Sequence, residues 1–239
     1  MRRGKKISVV IPCYNEEDGV KRVLDDMPDF IDEVVVVDNN STDKTSEIAK
    51  AGGARVIFEG RKGYGRAYKT GLKAAEGDII VTMDGDGTYP SFAISYLMDI
   101  LLNDKLDFVS AARIPIQFFH DPNMIKRWFG NIVLTFTVLL LYFIRLRDSQ
   151  SGMWVFRKEV LDKVSVNSDG MPFSEEFKIK TFRHPEISAR EVPIQFKYVE
   201  RIGDSKLNLW DDGIKNLIFL FKLRFKDDEK TNPPLSQVD

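Results

Sequence analysis

The sequence predicts an α/β fold built on a mostly parallel central sheet. Three observations carry this. The runs ISVVI (7–11), EVVVV (33–37) and DIIVTM (78–83) are rich in consecutive β-branched residues, as in strands buried on both faces. Segments of helical spacing separate them, the pattern of successive βαβ units. Each run also ends in polar residues: Pro12-Cys13-Tyr14-Asn15-Glu16, Asp38-Asn39-Asn40-Ser41, and Asp84-Gly85-Asp86. Ligands of open α/β sheets bind beyond the carboxyl ends of the strands, so these three ends are expected to share one crevice.

The elements follow in order. After the first strand, 16–26 has helical spacing, with Val20, Val23 and Leu24 apolar. After the second, STDKT opens a helix over 41–50, with Asp43 as its expected cap. A short strand at 55–59, a helix over 65–75, the strand 78–83, a helix near 92–102 and a strand near 108–111 complete the first half. The glycine-rich turn Gly63-Tyr64-Gly65-Arg66-Ala67 opens a helix and offers backbone N–H groups to a phosphate. From 128 to 144 (WFGNIVLTFTVLLLYFI) there is no charge. As a helix it spans about 25 Å against roughly 30 Å of bilayer hydrocarbon, so a buried helix, a short span and an interfacial helix all remain open.

Composition excludes several classes. The 239 residues carry 35 Lys+Arg against 36 Asp+Glu, so no basic field for nucleic acid is present. One cysteine, Cys13, excludes a disulfide framework and reads as a small buried residue at a strand end. Two histidines, His120 and His184, argue against a His-rich metal site. The N-terminal apolar run is too short for a signal-peptide core. No G-x-G-x-x-G follows the first strand, which disfavours a nicotinamide-binding fold.

The chemistry concentrates in Asp84-Gly85-Asp86. Two carboxylates flanking a glycine can turn toward one divalent cation, and hard cations such as Mg²⁺ use one or two carboxylates together with substrate phosphates. Asp38, at a strand end, can accept hydrogen bonds from a base or ribose.

Together PCYNEE, VVVDNNSTDKT and GYGRAYKTGLKAAEGDIIVTMDGDGTYP resemble the inverting glycosyltransferases of family 2, which have the GT-A fold, a Rossmann-like nucleotide-diphospho-sugar transferase architecture. The resemblance runs from about residue 7 to 224. It implies that Pro12, Tyr14, Glu16, Asp38, Gly65, Asp84, Gly85 and Asp86 bind the nucleotide-sugar, and that Asp84 and Asp86 hold Mg²⁺ or Mn²⁺ as cofactor. Arg201-Ile202-Gly203-Asp204-Ser205-Lys206-Leu207 matches the R-x-G-x-S-K-L pattern of dolichyl- and polyprenyl-phosphate hexose synthases. The acceptor of such enzymes is a lipid phosphate, for which Arg113, Arg201, Ser205 and Lys206 are the implied ligands. Asp148, Gln150 and Ser151 lie in a D-x-x-S/T-G segment that the resemblance places beside the acceptor. Asp86, Arg201 and Glu176 are the implied catalytic residues, Glu175 being the neighbouring alternative to Glu176.

One domain is expected over 1–226, with a nucleotide-sugar half (1–112) and an acceptor and membrane-contacting half (113–226), followed by a disordered tail at 227–239. The amphipathic segment 207–225 mixes Trp, Phe and Leu with Lys and Arg, as interfacial helices do. The expected partners are a nucleotide-sugar, a UDP-sugar by the DNNSTDKT and DGDGTYP spellings, then dolichyl or polyprenyl phosphate and a membrane surface. The expected location is the cytoplasmic face of a membrane, peripheral or shallowly inserted. GDP-mannose as donor, a soluble or polysaccharide acceptor, and a silent nucleotide-sugar-binding scaffold are the alternatives. The R-x-G-x-S-K-L segment and the apolar helices speak against the second, and the intact Asp84 and Asp86 against the third.

Overall fold

The computed structural model describes residues 1–115, 122–196, 209–226 and 234–237. The first half runs β1 (Ile7–Cys13), α1 (Glu17–Asp25), β2 (Glu33–Asp38), α2 (Thr45–Ala51), β3 (Arg55–Phe58), α3 (Tyr64–Ala74), β4 (Ile79–Thr82), α4 (Phe92–Asn103) and β5 (Phe108–Pro115). The second half adds α5 (Pro122–Tyr142), β6 (Trp154–Arg157), α6 (Val160–Lys163), α7 (Phe173–Arg183), β7 (Ala189–Phe196) and α8 (Leu209–Lys226).

The strands form one sheet in the order β3-β2-β1-β4-β6-β5-β7. Strands β3, β2, β1 and β4 are mutually parallel, β6 runs antiparallel to both β4 and β5, and β7 returns parallel to β5. Strand β7 carries Pro193 and closes one end of the sheet, where a missing N–H costs no ladder bond.

The continuous apolar runs have the expected cause. In β1, Ile7, Val9 and Ile11 join a core with Leu97 and Met98 of α4, while Val10 points to the other face, among Tyr68 and Leu72 of α3 and Phe173 and Phe177 of α7. Helix α2 starts at Thr45, four residues later than expected. The N–H groups of Ser41, Thr42 and Lys44 are taken by the side chains of Asp38, Asn15 and Glu17, which holds 41–44 out of the helix.

Helices α5 and α8 pack together over Leu134, Val138, Tyr142, Leu220 and Leu223, with Ile179 of α7 beneath, and the Tyr142 hydroxyl donates to the Leu220 carbonyl at 2.7 Å. The apolar segment 128–144 is therefore buried along one face, and Phe129, Phe136, Leu140 and Phe143 are exposed on the other. No helix among the described residues is long and apolar enough to cross a membrane. The disordered tail expected from 227 does not hold at residues 235–237. Leu235–Gln237 form a 3₁₀ turn, the Leu235 N–H bonds the Val164 carbonyl at 3.0 Å, and the Leu235 side chain is buried against the α3–α7 core.

Candidate active site

The carboxyl ends of β2, β1 and β4 lie side by side, with Cys13 opposite Asp38 and Val10 opposite Thr82. The loops beyond them are cross-tied. The Asn39 N–H bonds the Cys13 carbonyl at 2.8 Å, the Asn15 N–H bonds Ser41 Oγ at 3.0 Å, and the Glu16 N–H bonds Thr45 Oγ1 at 2.9 Å. Asn15 (φ 52°) and Asn40 (φ 65°) occupy the left-handed region, which asparagine tolerates better than most residues. Asp43, expected as the cap, instead precedes the N-cap residue Lys44; it accepts the Thr45 N–H at 3.0 Å and the Glu17 N–H at 3.2 Å. Asp38 is buried, accepting the Ser41 N–H at 2.9 Å and the Ser46 hydroxyl at 2.6 Å, so its carboxylate shapes its own loop. Lys62 lies over the Tyr14 ring, 4.5 Å from its centroid, and donates to its hydroxyl at 2.7 Å. Pro12 pairs with Val37 in the ladder. Cys13 is buried, and burial pushes its thiol well up.

The Asp84-Gly85-Asp86 turn is wedged between β1 and α1. A Cβ on Gly85 would lie 2.5 Å from Cys13 Sγ, and one on Gly19 would lie 2.5 Å from the Gly85 carbonyl oxygen and 2.9 Å from Asp86 Cα. The two glycines let strand, helix and turn close to backbone distance. Asp84 Oδ1 accepts the Tyr64 hydroxyl at 3.0 Å. Asp86 Oδ1 accepts the Thr88 N–H at 3.0 Å and the Thr88 hydroxyl at 2.7 Å. Tyr89, from the same segment, accepts the Gly152 N–H at 2.9 Å and stands 3.4 Å from Ser151 Oγ. The 84–89 and 148–152 segments thus touch.

The 148–152 segment rests on a buried polar network. Asp148 is 1% exposed. It accepts Arg113 Nε at 2.7 Å, Arg113 Nη2 and N–H each at 3.0 Å, and Asn131 Nδ2 at 2.9 Å. Burial pushes its carboxyl up, but the Arg113 guanidinium, its hydrogen bonds and Lys178 outweigh burial and hold it at about 2. Lys178 is fully buried and donates to the Asp148 carbonyl at 2.8 Å; burial pushes its ammonium down to about 8. The Gln150 amide donates to Glu175 Oε1 and accepts Asn216 Nδ2 of α8 at 3.2 Å. Burial drives the Glu175 carboxyl up to about 8, and its second oxygen has no hydrogen-bond partner.

At two of the expected positions the structure shows local partners. Glu176 does not face the 148–152 segment. Its carboxylate accepts the Asn167 and Ser168 N–H groups at 3.0 and 2.9 Å, the Ser168 hydroxyl at 2.6 Å and the Lys180 ammonium at 2.9 Å, folding the loop before α7. One position along a helix turns a side chain by about 100°, and it is Glu175 that reaches Gln150. In the glycine-rich turn three N–H groups are taken within the chain, the Ala67 N–H by the Gly63 carbonyl at 2.9 Å. The Gly63 N–H bonds Asn39 Oδ1 at 2.8 Å and the Arg66 N–H bonds the Asp169 carbonyl at 3.0 Å. Gly65 is a packing glycine, since a Cβ there would lie 2.6 Å from both Phe173 Cβ and the Ser168 carbonyl oxygen. Arg113, expected at the acceptor phosphate, lends its fork to Asp148. Arg201, Ser205 and Lys206 lie outside the described residues.

The structure also brings in residues that sequence reasoning missed. Tyr64, Tyr89, Lys178, Asn131, Asn216 and Gly19 all bear on the site. Asn131 stands in an uncharged apolar run and Lys178 in FSEEFKIK, where a surface lysine is the ordinary reading.

The site suits a hard divalent cation by the chemistry of its donors: two carboxylates on one turn at a strand end. Among the described residues no cluster of three or more His, Cys, Asp or Glu is present.

A mixed, mostly parallel sheet with an acidic turn at the end of β4 defines a GT-A-like sugar-nucleotide transferase fold. Residues 8–165 match the glycosyl transferase family 2 domain, and the chain belongs to that family as a glycosyltransferase. It is 35% identical over 210 residues to a dolichyl-phosphate hexose transferase of Haloferax volcanii, covering 87% of this chain and 89% of that protein. It is 31% identical over 223 residues to a UDP-N-acetylglucosamine–dolichyl-phosphate N-acetylglucosaminyltransferase of Methanococcus voltae, covering 82% and 87%. Against the low-salt glycan biosynthesis hexosyltransferase Agl6 of Haloferax volcanii it is 32% identical over 222 residues, covering 90% of this chain but 52%, about half, of that relative. Among solved structures, glucosyl-3-phosphoglycerate synthase of Mycobacterium tuberculosis, in complex with Mn²⁺, UDP and glucosyl-3-phosphoglycerate, superposes with a TM-score of 0.73 at 24% identity, covering 92% of this chain and 80% of that one.

Proposed function

We propose that the chain transfers a hexose, with inversion, from a UDP-sugar to dolichyl or another polyprenyl phosphate at a membrane surface. The observation that carries the reading is the contact between the acidic 84–89 segment and the 148–152 segment through Tyr64, Tyr89 and Gly152, which supports a donor-diphosphate site next to an acceptor site. The relatives that act on dolichyl phosphate support the acceptor, and the UDP-N-acetylglucosamine relative supports the base.

Asp84 and Asp86 would hold Mg²⁺ or Mn²⁺, which supplies positive charge to the departing diphosphate. The acceptor phosphate, with a second pKa of about 6, is already anionic near neutrality and needs little help from a general base. Its attacking oxygen has to be brought in line, a task for fixed cations: Arg113, oriented by Asp148, and Arg201 and Lys206 of the R-x-G-x-S-K-L segment.

A lipid acceptor needs a route to the bilayer. Phe129, Val133, Phe136 and Leu140 of α5, and Ile214, Ile218, Phe221 and Phe225 of α8, are exposed at three- and four-residue spacing. Lys215, Lys222 and Arg224 flank them. These features support shallow docking on an anionic leaflet, on the cytoplasmic face. On their inner sides the same helices grip the acceptor segment through Asn131 and Asn216.

The test is a donor panel of UDP-glucose, UDP-N-acetylglucosamine and GDP-mannose, each with polyprenyl phosphate and Mg²⁺ or Mn²⁺, scored by sugar transferred into the organic phase. Transfer from a UDP-sugar is expected. Transfer from GDP-mannose alone overturns the donor, and transfer only to water-soluble acceptors overturns the lipid. Flotation with anionic liposomes checks docking; protein remaining wholly at the bottom of the gradient overturns it.

A further inference from the structure

We infer that Tyr64 is the positioning residue for the Asp84 carboxylate, and that Gly152 is the point at which the acceptor-side segment bears on that pair. The inference rests on the reading of Asp84 as a cation-holding carboxylate. Tyr64 begins α3, and its hydroxyl donates to Asp84 Oδ1 at 3.0 Å. Its ring stands edge-on to Tyr68, centroids 4.9 Å apart at 78°, so the phenol is held from behind. A phenol donating to a carboxylate fixes the rotamer of that carboxylate and leaves its remaining lone pairs aimed one way.

Gly152 has no conformational reason to be glycine, because its φ is not among the positive values. It has a steric one. A Cβ at 152 would lie 2.7 Å from the Tyr64 hydroxyl oxygen, but 3.6 and 3.9 Å from the Asp84 oxygens. A methyl there drives the phenol off Asp84 while leaving the carboxylate itself in ordinary contact. The backbone at 152 cannot retreat easily. Its N–H is held by the Tyr89 hydroxyl at 2.9 Å, and its carbonyl by the Thr82 hydroxyl at 2.8 Å, which in turn accepts the Trp154 N–H at 3.1 Å. The segment that carries Asp148 and Gln150 is thereby in register with the segment that carries Asp84 and Asp86.

The geometry makes an unusual demand on a pair of variants. Tyr64→Phe removes the hydroxyl that positions Asp84. Gly152→Ala keeps that hydroxyl but displaces it. In the double variant the added methyl has no hydroxyl to strike, so it adds little to the loss from Tyr64→Phe. The measurement is Mn²⁺ binding by electron paramagnetic resonance in the presence of UDP, with GDP as a second arm and Asp84→Asn as the reference for a lost ligand. Tyr64→Phe is expected to weaken Mn²⁺ binding about 10- to 100-fold, the range for removal of a group that orients a metal ligand, with circular dichroism unchanged. Gly152→Ala is expected to weaken it comparably, and the double variant to match Tyr64→Phe alone. Wild-type affinity in Tyr64→Phe, or a double variant whose loss is the product of the two single losses, overturns the inference. A wild-type protein that binds no Mn²⁺ with either nucleotide overturns instead the reading of Asp84 on which it rests.

Discussion

Replacing Asp148 by Asn tests whether the 148–152 segment hangs on the ion pair between buried Asp148 and Arg113. The side chain is 1% exposed and accepts two guanidinium bonds from Arg113 at 2.7 and 3.0 Å, a third from the Arg113 backbone, and a fourth from Asn131. Asparagine keeps the shape but turns one acceptor into a donor facing a donor, and leaves the Arg113 guanidinium without its counter-charge. Removing one partner of a buried pair costs about 3–5 kcal/mol. For a chain of this size that lowers the melting temperature by about 10 °C. The depressed Asp148 carboxyl points to the same order of magnitude. The folded carboxyl is held at about 2 against an ordinary 3.8, a difference worth about 2.5 kcal/mol. Because the folded value is the depressed one, this stability is present above pH about 4 and is lost as pH falls toward 2. Urea denaturation of wild type and Asp148→Asn at pH 7 and at pH 3 measures both quantities. The expected result is a gap of several kcal/mol at pH 7 that narrows in acid. A gap under about 1 kcal/mol at pH 7, or one that stays constant with pH, refutes the reasoning.

Three further outcomes follow from the geometry. Asp86→Asn should abolish sugar transfer with the melting temperature within a few degrees of wild type, whereas no carboxylate outside Asp84 and Asp86 should show the pH–rate profile of an essential base. Gly19→Ala should destabilise by about 1–3 kcal/mol despite the better helix propensity of alanine, because its Cβ meets the Gly85 carbonyl oxygen at 2.5 Å; thermal melts check this, and a more stable variant contradicts the packing. Glu175, pushed up to about 8 against an ordinary 4.5, makes the folded state bind the extra proton, so wild-type stability should fall as pH rises from about 5 to 8. Glu175→Gln should lack that slope, and parallel slopes in melts over this window would show that Glu175 ionises without cost.

Much of the fold was legible in the chain. Runs such as ISVVI and EVVVV can be buried on two faces only in a sheet covered on both sides, and the spacing of polar residues after them marks the strand ends where a site assembles. The Asp84-Gly85-Asp86 triplet stood out because two carboxylates flanking a glycine, just past a buried strand, can turn toward one divalent cation. What the chain did not show is which partner each polar group chooses. Asp38 and Glu176 read as ligands, yet each turns to its own loop, because nearby backbone N–H groups compete for a carboxylate and local sequence does not rank the competitors. The strands at 154–157 and 189–196 went unread because the pairing of the first with β4 and of the second with β5 joins residues 72 to 81 positions apart. Lys178 lies in a charged helical stretch and Asn131 in an apolar run, and neither segment alone marks them. Only the packing of α5, α7 and α8 around 148–152 makes them the donors that a buried carboxylate and its backbone require. Gly152 differs from a turn glycine solely by a tyrosine 88 positions earlier whose hydroxyl occupies the place of its missing methyl, a proximity created by the sheet and encoded in neither segment alone.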